Sequence, residues 1–131
     1  MQIYPPPLKT EDDFPVLDSG TTYLLAKLSA TVADSTSSTS FTLNREIGQW
    51  VSPRSGVVQL LLGVDESALG HLCEWEIRIN GISIGDIRTG NNGIWSTLSW
   101  SSVAVDAGDY IEVWQRATNG AYTAFSRDLR I

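Results

Sequence analysis

Two antiparallel sheets packed face to face are what this sequence predicts, on three observations. Cys73, Trp75, Ile77 and Ile79 alternate with Glu74, Glu76 and Arg78, the two-residue period of a strand with one dry face. Asn80-Gly81 follows, a pair that tolerates positive φ at both centres of a type I′ turn, and Ile82, Ile84 and Asp86 return on the other side. No segment holds a 3.6-residue period over three turns, whereas turn signals recur roughly every ten residues. Many short strands of that spacing make a sandwich.

In the central hairpin a two-residue loop sets Ile79 opposite Ile82 and Ile77 opposite Ile84, so the apolar faces agree. Upstream, Val58, Leu60, Leu62 and Val64 form the core side of a strand whose other face carries Val57, Gln59 and Leu61. Downstream, Ile94, Ser96, Leu98 and Trp100 share one parity, with Trp95, Thr97 and Ser99 on the other. Asp106 to Asp109 is a turn. Tyr110 to Arg116 then points Ile111 and Val113 inward and Tyr110, Glu112, Trp114 and Arg116 outward. Asn119-Gly120 turns the chain again, and Phe125, Leu129 and Ile131 are expected inward on the last strand.

The first half is less regular. From Thr21 to Val32, Leu24, Ala26, Leu28, Ala30 and Val32 fall on one parity; a helix competes, but the Thr and Val content favours a strand. Ala33 to Ser40 reads as a polar loop of small residues. Phe41 to Leu43 begins another strand, continuing into Trp50-Val51 after a bend near Gly48. Asp65 to Leu72 has room for one helical turn, and Asp86 to Gly93 reads as a loop.

Residues 1–20 differ from the rest. Pro5-Pro6-Pro7 favours an extended path and excludes ladder pairing, and Glu11-Asp12-Asp13 favours solvation. Ile3, Tyr4, Leu8, Phe14 and Val16 are too apolar for an idle tail. The expectation is an extended arm over residues 1–20, whose apolar side chains lie against a partner or the chain itself, and one domain over residues 21–131.

Composition narrows the function classes. At 131 residues the chain is long enough for a core without staples, and 42% hydrophobic against 18% charged residues describes a folded chain. Nine basic against fifteen acidic residues leave a net charge of -6, and the arginines are scattered singly, which argues against nucleic acid or anionic lipid as a direct partner. No basic start precedes an apolar run, and no stretch approaches a membrane span. The single cysteine, Cys73, cannot form an intrachain disulfide and fits a buried thiol in a reducing compartment.

The stretch from Trp95 to Val103, then Ala107 to Trp114, then Tyr122 to Ile131, resembles the C-terminal end of the C1q- and tumour-necrosis-factor-like jelly rolls. There a Gly-Asp turn starts a strand and a Phe-Ser step lies in the last one; Gly108-Asp109 and Phe125-Ser126 match. Arg127 stands where that family usually has a small residue. The resemblance implies a jelly-roll β-sandwich and a homotrimer. With its extended N-terminal arm the chain also resembles the decoration or cement proteins of tailed-phage capsids. That implies a non-enzymatic virion protein, made in the host cytoplasm, that stabilises the outer capsid surface. Its partners would be itself and the major capsid protein or other virion proteins. The alternative is a carbohydrate- or receptor-binding head of a phage tail fibre or baseplate.

Chemistry is sparse in the sequence. His71 is the sole histidine, so an ordinary zinc site lacks ligands even with Cys73 nearby. No Gly-x-Ser-x-Gly elbow or Cys-His pair is present. Carboxylate pairs are inevitable among fifteen acids, so Glu74, Glu76, Asp86, Asp106, Asp109 and Glu112 do not by themselves predict glycoside hydrolysis. Calcium is the more open option, through Asp106 and Asp109 or through Asp86, Asn91 and Asn92, although turn aspartates normally serve local hydrogen bonds. The expectation is no enzyme, no cofactor and no metal. The functional lead is aromatic: Trp95, Tyr110 and Trp114 fall opposite the core parity, where such residues serve subunit contacts or, in the alternative, stack on a sugar.

Overall fold

The computed structural model describes residues 33–67, 73–90 and 94–131. Its strands are β1 (Asp34–Thr36), β2 (Thr42–Leu43), β3 (Trp50–Val51), β4 (Gly56–Glu66), β5 (Cys73–Ile79), β6 (Ile82–Ser83), β7 (Arg88–Thr89), β8 (Ser96–Val105), β9 (Tyr110–Ala117) and β10 (Ala124–Arg130). All pairings are antiparallel. One sheet has the order β1-β10-β4-β8. The other has the order β2-β9-β5-β6, with β3 also on β9 and β7 also on β5. The chain is an all-β jelly-roll β-sandwich. The expected arm, residues 1–20 with Ile3, Tyr4, Leu8, Phe14 and Val16, lies outside the described residues, as does Thr21 to Val32.

Alternation builds the core. Leu60, Leu62 and Val64 of β4 face Cys73, Trp75 and Ile77 of β5 and Ile111 and Val113 of β9, all at most 1% exposed. Fully burying one such aliphatic side chain is worth about 1.5–3 kcal/mol. Trp100 closes one side of the core, and its indole N–H donates to the carbonyl of Asp86 at 2.7 Å. The central hairpin has the expected register, Ile79 opposite Ile82, with the Ile84 amide donating to the Ile77 carbonyl at 3.1 Å. Asn80 and Gly81 both have positive φ, 54° and 81°, as a type I′ turn requires. Ile82 nevertheless projects past the sandwich at 72% exposure.

A buried polar cluster ties the two sheets together. The Asn44 side-chain amide donates to the Ser126 carbonyl at 3.1 Å and to its Oγ at 2.7 Å, and Asn44 Oδ1 accepts from the Ile47 amide at 2.9 Å. Ser126 Oγ in turn donates to Gln115 Oε1. Asn44, Gln115 and Ser126 are wholly buried. A network of this kind fixes one arrangement of β2, β9 and β10, because slipping any member leaves a desolvated polar group unpaired.

Three expectations need correction. Ala33 to Ser40 is not wholly a loop: Asp34–Thr36 forms β1, paired with Ala124 to Ser126. Its burial signal is weak because it is a short, polar edge strand. Asp86 to Gly93 likewise contains β7, two residues opposite Glu74 and Trp75. Phe125 faces outward, while Ala124 and Ser126 take the core positions. The parity changes at Asp128, whose φ of 59° marks a bulge between Arg127 and Arg130, so Leu129 and Ile131 do turn inward. A matching bulge at Ser102, φ 57°, changes the parity of β8 from Trp100 to Val103. Both neighbours of β4 therefore bend where alternation alone predicts straight strands.

Candidate binding surfaces

The outer face of the β2-β9-β5-β6 sheet is assembled from β5 and β9. Glu74 lies opposite Arg116, Glu76 opposite Trp114 and Arg78 opposite Glu112. Arg116 donates through Nε and Nη2 to Glu74 Oε1 at 2.9 and 2.8 Å, and its guanidinium sits 4.3 Å from the Phe41 ring centre. Arg78 donates to Glu76 Oε1 at 2.8 Å through both Nε and Nη2 and lies 3.9 Å over the Trp114 ring. The Trp114 N–H donates to Glu112 Oε1 at 3.2 Å, and Gln49 Nε2 donates to Glu112 Oε2 at 2.9 Å. The result is a face on which two carboxylates, Glu76 and Glu112, are only 3% and 5% exposed. Buried charge persists only where neighbouring groups satisfy it: Glu76 is paired with Arg78, and Glu112 accepts hydrogen bonds from Trp114 and Gln49.

Tyr110 starts β9 on this face, half-buried, above the tip of the central hairpin. Below it Asp109 Oδ1 accepts from Asn80 Nδ2 and Oδ2 accepts from the Asp106 amide, both at 2.8 Å. The Asp106 amide first, and Asn80 second, hold the Asp109 carboxyl below its ordinary value. The turn that offered calcium ligands thus spends both Asp109 oxygens on its own chain. Asp86 is bidentate to Arg88 at 3.0 and 2.7 Å. His71, Asn91 and Asn92 lie outside the described residues. Among the described residues no three His, Cys, Asp or Glu side chains converge as a metal site.

Cys73 is fully buried, and burial, reinforced by the nearby Glu66 carboxylate, pushes its thiol up to about 11. It is a packing residue rather than a nucleophile at neutral pH.

The opposite outer face, on β1-β10-β4-β8, is built differently. Arg127 of β10 lies opposite Gly63 of β4, which lies opposite Thr97 of β8. A Cβ on Gly63 would stand 3.2 Å from the Arg127 carbonyl oxygen and 3.4 Å from its Cγ, so the bare glycine lets the Arg127 stem lie across β4. The guanidinium ends 3.7 Å from the ring centre of Trp95, immediately before β8. Trp95 remains 39% exposed and its neighbour Ile94 61% exposed.

The expected aromatic trio is therefore divided. Trp114 and Tyr110 share one face, Trp95 belongs to the other, and none of the three is core. Arg127 was visible in the sequence only as a departure from a family pattern; a glycine inside the strongest apolar strand was the signal that something crosses there. Phe41 and Gln49, which complete the other face, carry no sequence signal beyond their proximity to short strands.

No family model and no curated protein matches the chain. Among solved structures it is similar to a carbohydrate-binding module, CBM36, determined in complex with calcium and xylotriose. The TM-score is 0.55 at 13% identity, over 85% of this chain and 98% of that one. At that identity the likeness is one of fold, and it places the chain among jelly-roll β-sandwiches.

Proposed function

We propose that this domain is a non-enzymatic carbohydrate-binding module, of the kind a receptor-binding head carries. The observation that bears the proposal is Trp95: a large indole at the surface, 39% exposed, with a guanidinium over its ring. A rigid aromatic with few rotors loses little entropy when a ligand packs on it. The likeness of fold to a module solved with xylotriose supports this reading over shell decoration. Trp114 is a poorer platform, because Glu76 holds Arg78 in place over its ring and Glu112 takes its indole N–H, leaving it half-buried.

A glycan array probed with the whole chain and with Trp95→Ala tests the proposal. Reproducible hits that Trp95→Ala loses are expected; an array without hits for the unaltered chain overturns it. The homotrimer and the virion setting are proposals of the same standing, resting on the sequence resemblance. Light scattering at micromolar concentration checks the first, and copy number in purified particles the second: hundreds for a shell protein, a few to tens for a tail tip.

A further inference from the structure

Arg127 differs from five other arginines in what it faces. Arg45, Arg78, Arg88, Arg116 and Arg130 each sit within 4 Å of a carboxylate. Arg127 sits on Trp95 and against no carboxylate among the described residues, in a chain with fifteen acidic residues to nine basic. Its stem is placed by the absence of a side chain at Gly63, and its head by the indole. Asp65, the acid on the same face two positions along β4, turns its Oδ1 to the Glu66 amide at 2.8 Å.

From this juxtaposition we propose that the Trp95–Arg127 pair selects carboxylated sugars, the class to which uronates and sialates belong. The inference rests on the glycan-binding reading and names its ligand class. A pyranose ring packs against the exposed part of the indole, and its carboxylate accepts hydrogen bonds from the guanidinium N–H donors that no acid among the described residues engages. A planar guanidinium matches a carboxylate bidentately, and such charge-assisted bonds are about twice as strong as neutral ones. Stacking on the indole orients that fork before the ligand arrives. Neutral sugars would keep the ring contact and forgo the charged one.

The test uses the full chain and titration calorimetry with four probes: an oligogalacturonide, sialyllactose, and the carboxyl-reduced form of each. At least one acidic probe should bind roughly tenfold or more tighter than its reduced form, the fold-change expected for one charge-assisted hydrogen-bond pair. Arg127→Met, which keeps an apolar stem over Gly63, should abolish that preference while retaining residual binding, and its unfolding midpoint confirms that it is folded. Which acidic probe responds separates a chain uronate from a terminal sialate. Equal affinity for acidic and reduced probes, unchanged in Arg127→Met, overturns the inference and leaves glycan binding standing. Absence of binding to all four probes, together with a blank glycan array, overturns both.

Discussion

The two outer faces each pair one tryptophan with one arginine, and to opposite effect. Over Trp114, Arg78 is also held by Glu76, and the indole N–H by Glu112. Over Trp95, Arg127 has no acid beside it among the described residues. The guanidinium–indole distances are nearly equal, 3.9 and 3.7 Å. The stack itself is therefore not what distinguishes a closed face from an open one. The carboxylates are: where β5 and β9 supply three glutamates, the donors are consumed and the face becomes a stabilising lattice. Where Gly63 and Thr97 stand instead, the donors are left for something else.

The largest expected effect separates the two tryptophans by stability. Trp114→Ala removes a half-buried ring, empties the space under Arg78 and strips the buried Glu112 of one donor, and should cost about 2–3 kcal/mol. Trp95→Ala should cost no more than about 1 kcal/mol, the worth of an exposed cation–π contact. Urea denaturation of both variants checks this, and equal losses would end the distinction between the faces. Next comes Glu112→Ala, which leaves Trp114 Nε1 and Gln49 Nε2 without their acceptor and should cost about 1–2 kcal/mol. Arg127→Ala, which strips no carboxylate among the described residues of a partner, should lose no more than the roughly 0.5–1 kcal/mol of an exposed cation–π contact. Gly63→Ala sharpens the same point by geometry: a Cβ 3.2 Å from the Arg127 carbonyl oxygen must push β10 aside by a few tenths of an ångström. About 1 kcal/mol is expected, with glycan affinity reduced although the substitution lies on neither Trp95 nor Arg127.

How much of this was legible in the sequence follows from what each part depends on. The sheets were, because Val58 to Val64, Cys73 to Ile79 and Ile111 to Val113 alternate strictly and a buried face enforces that period. Tyr110, Glu112, Trp114 and Arg116 were correctly outward for the same reason. Phe125 was not, since one left-handed residue at Asp128 shifts every side chain after it to the other face, and aspartate, though enriched at φ > 0, adopts it too seldom to mark the position. The divided tryptophans were not legible either. Parity shows that Trp95 and Trp114 avoid the core, but which sheet each covers depends on strand order, a non-local property. The pairing of Arg127 with Trp95 needs three strands in register across Gly63, and no local pattern encodes that.

The smallest effect concerns the foot of the closed face, where Asn80 leaves β5 and Asp109 precedes β9. The Asp109 carboxylate accepts from the Asp106 amide and from Asn80, and these bonds favour its ionised form, so its folded value lies below that of the unfolded chain. A group depressed on folding contributes stability that is fully present above the unfolded carboxylate value, about 3.9. That contribution is lost as the pH falls through the folded value. Asp109→Ala removes both bonds at every pH. The melting temperature of the unaltered chain should therefore exceed that of Asp109→Ala at pH 6, and the gap should narrow as the pH is lowered below about 4. On the open face Arg127 pairs with an indole and with no carboxylate among the described residues, so Arg127→Met should shift the melting temperature by an amount that does not shrink with acid. A gap for Asp109→Ala that stays constant from pH 6 to pH 2.5 would mean that turn geometry, not charge, holds the foot of the sheet. The charged lattice would then end at Glu112.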